Sequence, residues 1–427
     1  MRYAVISLGI PLSELERIVR QEGGEEIRVL PHCGQLFADL PPESVRRLSA
    51  RPGLVVREAQ SFSLQRERTH AAGGDAFPGQ AVIPHQGISL VPLFEAFRNA
   101  LSPPLTGQGT TIAVLDSGIR ESHLSLRGKV VYSKNLSPSP TPSDLFDHGT
   151  GVAFLAAGEE GMAPGAFLMN IKVMDDRGEG NVEWLVAGID EVIRLRNAVP
   201  PRDPAFPHMI NLSLGTADRG DPMEPSRVAV RAAIAAGLEV VAAVGNSGPS
   251  PSTVSSPAVE PLVIGVGAMT ADPWDIWPSS SRGPTREGII KPDVVFLGVG
   301  IRVASARGDD AFAVKSGTSF AAPAVAGLGA LMQEWALRFF GRRISQQEAQ
   351  AFLPFVSAKP LAAPPGKDNA FGWGMPFADL FRKGLVPTAT PFDLSQALSS
   401  ILGLGLLGAV GAGMIRAVGR MAKQMVG

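Results

Sequence analysis

The chain has 427 residues, 45% of them hydrophobic and 19% charged, and a formal net charge of −1, which is ordinary for a globular enzyme of two or three domains. Lys and Arg are spread along the sequence with no basic stripe interleaved with aromatics, so nucleic acid is excluded as an expected partner. A single cysteine, Cys33, excludes an intrachain disulfide.

From the N-terminus, Met1–Gly9 is too short an apolar run for a signal peptide and leads directly into a polar segment, so a cytoplasmic location is expected. Tyr3–Leu8 reads as a strand. Pro11–Glu22 reads as a helix, with Leu12, Leu15, Ile18 and Val19 on one face. Glu26–Leu30 and Gln35–Leu40 are strands, Pro41–Ala50 is a helix opening on a proline, and Val55–Glu58 is a last strand. Cys33, with His32 beside it, supplies too few ligands for a metal site and reads as an inert thiol. The βαββαβ order of residues 1–60 predicts a small α+β ferredoxin-like domain. Residues 61–82 are polar and contain glycine, and they read as a flexible linker open to cleavage, with Arg66 and Arg68 as candidate positions just upstream of a cut.

Residues 83–386 form the main domain. Buried strands are expected at Thr111–Asp116, Leu168–Val173, Ile210–Leu214, Val240–Val244 and Leu262–Val266, with helices such as Glu183–Arg196 and Pro225–Ala236 between them. That alternation predicts an α/β fold with a mainly parallel sheet and helices on both faces. Residues 387–427 form a Gly-rich apolar tail. Leu394–Ile415 carries no charge, and Arg416, Arg420 and Lys423 follow at helical spacing. Within it, Ile401–Ile415 is wholly apolar or glycine, and this run is shorter than the roughly 20 residues a spanning helix needs. Residues 394–423 are therefore read as open to packing on the main domain, to partner-protein contact or to membrane association.

Three segments of the main domain carry chemistry. Thr111–Gly118 is a strand ending in Asp116, Asp147–Gly158 is a loop feeding a small-residue helix behind His148, and Lys315–Gly327 puts Ser319 at a helix start among small residues. A serine hydroxyl needs a base, and an imidazole needs an anion to fix its tautomer. An Asp, a His and a Ser, each at a sharp boundary beside glycine, supply that set.

These segments resemble the catalytic blocks of the subtilisin-like serine proteases, in which the triad order is Asp, His, Ser. Phe167–Val173, Met209–Gly215 and Leu238–Gly248 are also similar to core strands of that family, and the resemblance runs from about Gly107 to about Ala378. It implies Ser319 as nucleophile, His148 as base, Asp116 as its partner, and the Asn246 amide with the Ser319 N–H as oxyanion donors. Ser213-Leu214-Gly215 and Gly178-Glu179-Gly180-Asn181 match the two walls between which a peptide substrate binds as an added strand. The carboxylates of Asp175, Asp176 and Glu179, one of them offset by Arg177, suggest either a preference for basic residues upstream of the cut or a solvated acidic loop.

The leading domain resembles the family's propeptide, an intramolecular inhibitor. The implied function is a serine endopeptidase made as a zymogen and acting on a selected protein or peptide partner. The alternative is a catalytically silent peptide-binding module on the same fold. No cofactor is required for this chemistry, and no metal site is assigned; calcium is common in the family, but no oxygen-ligand run marks a place for it. The chain departs from the family's His-Gly-Thr-His-Val-Ala-Gly pattern at Gly151 and Phe154, which predicts altered packing with the triad intact.

Overall fold

The computed structural model describes residues 1–64 and 87–377. By compactness the chain divides into Met1–Arg382 and Lys383–Gly427, and the second unit, with the tail expected at 387–427, lies outside the described residues. No helix among the described residues is long and apolar enough to cross a membrane.

The N-terminal elements are the strands Arg2–Ser7, Glu25–Leu30, Gln35–Asp39 and Leu54–Glu58, with the helices Leu12–Gln21 and Pro42–Ser49. In sequence numbering the antiparallel sheet has the order second, third, first, fourth, which is the ferredoxin-like arrangement expected from the βαββαβ pattern. Side chains alternate along each strand, so the sheet has two different faces. Val5, Leu36, Ala38 and Val56 pack on Leu15, Ile18, Val19 and Leu48 of the domain's own helices. Ala4, Leu30, Cys33 and Phe37 face the other way and join the core of the main domain.

That core belongs to an eight-stranded sheet. Its central strands run in the spatial order Ile264–Thr270, Glu239–Ala243, Met209–Leu212, Thr111–Asp116, Phe167–Lys172 and Val130–Asn135, all parallel. Val294–Leu297 adds parallel to Ile264–Thr270, and only the short edge strand Asp275–Ile276 is antiparallel. The helices Val182–Ala198 and Pro225–Ala235 pack together and against the N-terminal sheet, while the long helix Thr318–Phe340 lies against the central strands with Gly149–Ala157 beside it. Parallel strands fix the order of their carboxyl ends, and functional residues of such sheets gather there. The register sets Asp116 opposite Lys172 and Leu212 opposite Leu115, so both the Asp116 strand and the segment after Leu212 emerge on one edge.

The observed strands and helices agree with the sequence reading to within a few residues. One segment differs. Ser61–Ser63, expected as the start of a flexible linker, is a strand that pairs antiparallel with Glu179–Asn181. Ser61-Phe62-Ser63-Leu64 alternates polar and apolar, but the run is too short to stand out in a polar stretch; the partner strand and the core under Phe62 and Leu64 supply the order. The candidate cut positions Arg66 and Arg68 lie outside the described residues.

The opposite edge of the sheet carries a buried carboxyl. Glu239 is 2% exposed and accepts a hydrogen bond from Gln333, and burial pushes its pKa from 4.5 up to about 8. Between these values the native chain holds a proton that the unfolded chain has lost, so stability falls as pH rises through this window. Glu239→Gln stays neutral and removes the slope. Relative to wild type, its Tm is expected to stand about 3–6 °C higher at pH 8 than at pH 5, measured by thermal unfolding across pH.

Candidate active site

Asp116 is the last residue of a fully buried strand and is 1% exposed. Its Oδ1 accepts the Ser117 N–H at 2.7 Å and lies 2.8 Å from His148 Nδ1. This contact fixes which imidazole nitrogen faces the carboxylate and leaves Nε2 for the reaction side. His148 is 3% exposed and precedes the helix Gly149–Ala157. Gly149 is required by close approach, because a Cβ there would fall 2.2 Å from the Gly118 carbonyl oxygen and 3.0 Å from Asp116 Cβ.

A second buried carboxylate, Asp144, organises the same turn. Its Oδ1 accepts from the Ser117 hydroxyl at 2.9 Å and the Asp147 N–H at 2.8 Å. Its Oδ2 accepts both the N–H and the hydroxyl of Thr150, at 2.9 and 2.8 Å. The Ser117 hydroxyl in turn accepts the Gly149 N–H at 3.0 Å. Carboxylate and hydroxyl oxygens thus cap the orphan N–H groups of the helix behind His148. Lys172, fully buried on the neighbouring strand, donates from Nζ to the carbonyls of Ser117 and Ser143 and lies 2.9 Å from Asp176 Oδ1. Sequence reasoning missed Asp144 and Lys172. The one signal available was a charged residue closing a largely apolar strand, Phe167–Lys172.

Ser319 is the second residue of the helix Thr318–Phe340 and is 5% exposed. Its hydroxyl donates to the Ser213 carbonyl at 3.1 Å, and the Ser213 hydroxyl donates back to the Ser319 carbonyl at 2.9 Å. The following residue, Phe320, places its ring 5.3 Å from the His148 imidazole, so the nucleophile's helix start and the base are neighbours. Asn246 is exposed at the end of the segment after Glu239–Ala243. Its Oδ1 accepts the N–H and hydroxyl of Thr318 at 3.0 and 2.9 Å. With the oxygen committed, the Nδ2 donors are left to face the cleft.

The two segments expected as substrate walls are fixed by close contacts. Ser213 is tied to Ser319, Leu214 is buried, and Gly215 leads into a short pairing of Thr216–Ala217 with Ser255–Ser256. Gly180 is central to the other wall, where a Cβ would lie 2.6 Å from the ring of Phe62 and 3.1 Å from Met174. Gly178 abuts the Phe146 ring, which brings this wall against the loop of His148.

The acidic loop is bound up in its own contacts. Asp175 Oδ1 is used by the N–H groups of Arg177 and Glu179, each at 2.9 Å, and Asp176 faces Lys172, so two of the three carboxylates serve the loop itself. The departures at Gly151 and Phe154 are matched in the packing. A Cβ on Gly151 would meet Val303 at 2.9 Å, and Phe154 packs edge-on against Phe312 at 5.8 Å. Among the described residues, no group of three or more His, Cys, Asp or Glu is placed to hold a metal ion.

Known proteins give the same reading. Serine protease AprX of Bacillus subtilis (strain 168) is 33% identical over 274 residues, covering 56% of this chain and 59% of AprX. Subtilisin-like protease 3 of Pseudogymnoascus destructans is 34% identical over 242 residues, covering 55% of this chain and 56% of that protein. Subtilisin E of Bacillus subtilis (strain 168) is 34% identical over 327 residues, covering 74% of each chain. The chain thus spans less than three fifths of the first two relatives and about three quarters of the third. Residues 107–374 match the Subtilase family as a whole, and with its buried Asp116–His148 pair beside the Ser319 helix the chain belongs to that family of serine peptidases.

Proposed function

We propose that the chain is a serine endopeptidase and that its N-terminal domain is an intramolecular inhibitor of it. Ser319 Oγ attacks the scissile carbonyl, His148 takes the proton and later gives it to the leaving amine, and Asp116 holds the imidazole and stabilises its charged form. Asn246 Nδ2 and the Ser319 N–H receive the oxyanion. The observation that carries this reading is the 2.8 Å contact of His148 Nδ1 with Asp116, beside a helix whose first turn presents Ser319. All four groups are present with their supports, which favours a working enzyme over a silent peptide-binding module.

The inhibitory role of the N-terminal domain is supported by where its last strand runs. The Val182 N–H donates to the Gln60 carbonyl at 2.9 Å, Phe62 stands opposite Gly180, and the Leu64 N–H donates to the Gly178 carbonyl at 2.9 Å. The chain therefore occupies the wall expected to bind substrate and advances along it toward the His148 loop, as a peptide added to a sheet edge would. The rest of the domain is docked behind this wall. Arg2 grips Glu183 with two hydrogen bonds of 2.6 and 2.7 Å, Arg57 pairs with Asp221, and Gln35 donates to the Pro225 carbonyl at 2.9 Å. Cleavage of a selected partner, after release of this domain, is the finer reading we favour for its role.

Two expected outcomes test these assignments. A fluorophosphonate should label the wild-type enzyme and leave Ser319→Ala unmodified. Removing one oxyanion donor in a related subtilisin costs about 10²–10³-fold in kcat, and Asn246→Ala is expected to lose the same order with KM little changed; a variant with full kcat would remove Asn246 from the mechanism. For the inhibitor, Phe62→Asp places a charge against Gly180 and Met174 and should weaken the strand. The uncleaved chain carrying it is expected to hydrolyse a short fluorogenic peptide at least about tenfold faster than uncleaved wild type; equal rates would show that the strand is not the block.

A further inference from the structure

We propose that Asp147 is a positioning residue of this peptidase: paired with Lys315, it locks the turn that carries His148 to the turn that carries Ser319. The inference rests on the peptidase reading above and concerns residues that carry no role in it.

Asp147 directly precedes His148 and has φ of 74°, in the left-handed region that a side chain seldom occupies and a glycine enters freely. Its carboxylate is buried and tied across the chain. Oδ1 accepts the Ser305 hydroxyl at 2.9 Å and the Ala306 N–H at 2.7 Å. Oδ2 lies 3.3 Å from Arg307 Nε and 3.5 Å from Lys315 Nζ. Arg307 is largely exposed, whereas Lys315 is as buried as Asp147.

Lys315 ends the strand Phe312–Lys315, four residues before Ser319. Its ammonium stands 5.9 Å from the Phe320 ring, and that ring stands 5.3 Å from the His148 imidazole. The contacts close on themselves: the residue before the base holds a cation from the nucleophile's segment, and the residue after the nucleophile packs on the base. A displacement of one turn must therefore strain the other. The polar partners of Asp147 and Lys315 lie in the loop of His148 and the segment 305–320, away from the walls at Gly178–Asn181 and Ser213–Gly215. The effect therefore belongs to the chemical step and not to peptide binding.

The charged groups around the imidazole define a test that simple loss of stability would not imitate. They are Asp116 from its strand, Asp144 and Asp147 from its own loop, Lys172 from the adjacent strand, and Arg307 and Lys315 from the hairpin; Arg120, on the next turn, is drawn off to Asp309. Removing the Lys315 charge takes a buried cation from beside His148, leaving Asp147 only the exposed Arg307, and favours the imidazolium. Removing the Asp147 charge leaves an unbalanced cation and disfavours it.

The experiment compares Asp147→Gly, Asp147→Asn, Lys315→Met and the double variant Asp147→Asn/Lys315→Met in the full chain. The probes are a short peptide p-nitroanilide and a fluorophosphonate. Asp147→Gly, which keeps the turn accessible but loses the anchor, is expected to lower kcat and the labelling rate about 10- to 100-fold with KM within about twofold. In kcat/KM against pH, Lys315→Met should move the acidic limb to higher pH and Asp147→Asn to lower pH, with the double variant close to wild type. Wild-type kcat in Asp147→Gly, or limbs that do not move in opposite directions, overturns the proposal. If Asp147→Gly fails to fold, the opposed limbs of the other two variants decide. Failure of the underlying peptidase reading is distinct, because wild type would then react with the fluorophosphonate no better than Ser319→Ala.

Discussion

A carboxylate nearly removed from water persists only if its neighbours replace the water, and the site is arranged around that requirement. Asp116 is at the end of a strand buried on both faces, where a bare anion would be expelled. The Ser117 N–H and the His148 ring nitrogen meet its Oδ1. The same logic repeats one step outward, where Asp144 is satisfied by four donors from Ser117, Asp147 and Thr150. Lys172 supplies the compensating cation, and it is held by two carbonyls as well as by Asp176. Asp116 Oδ1 and both oxygens of Asp144 are met by directional donors, while the buried Asp116 Oδ2 has no hydrogen-bond partner among the described residues; the position of the imidazole follows from a network in which few members can move independently.

The N-terminal domain obeys a different constraint. Its sheet is apolar on both faces, and its own two helices cover only one of them. The second face, with Ala4, Leu30 and Phe37 fully or almost fully buried, is covered by the helices Val182–Ala198 and Pro225–Ala235 of the main domain. Burial of this kind supplies affinity without direction. Direction comes from the polar contacts at its margin, Arg2 with Glu183, Arg57 with Asp221 and the Cys33 N–H with Asp190. Together they set the registration from which the strand Ser61–Ser63 reaches the wall.

Much of this is legible in the order of the amino acids. The parallel core is marked by runs such as Thr111–Asp116, where every residue is apolar or small until the carboxylate, and the N-terminal order is marked by alternation and by prolines at helix starts. The triad residues stand out because each breaks a regular element beside a glycine. What escapes has no local signature. Asp144 and Asp147 lie in a loop whose composition reads as solvated, yet both are buried by segments distant in sequence. Ser61–Ser63 is too short for its alternation about Phe62 to be decisive, and its strand character comes from hydrogen bonds to Glu179–Asn181 and from packing of Phe62 and Leu64 on the main core. The acidic loop likewise hides its contacts from the sequence: Asp175 accepts the N–H groups of Arg177 and Glu179, and Asp176 faces Lys172.

On the proposed reading, the Glu179–Asn181 edge would serve both a domain of the chain and a peptide, and its supports suit that use. It is short, and it is fixed from behind, because the Asn181 side chain caps the helix Val182–Ala198 by accepting the Trp184 N–H at 2.9 Å. From below it is fixed by Asp175, whose carboxylate takes the Glu179 N–H. An edge held at both ends presents its free N–H and C=O groups at set positions, so any strand that pairs with it must adopt the same register. Gly180 then decides what fits, since the space a side chain would need is taken by an aromatic ring from the incoming strand. On the proposed reading, the N-terminal strand and a substrate would compete for one row of hydrogen bonds, and only the first is also tethered by an apolar face.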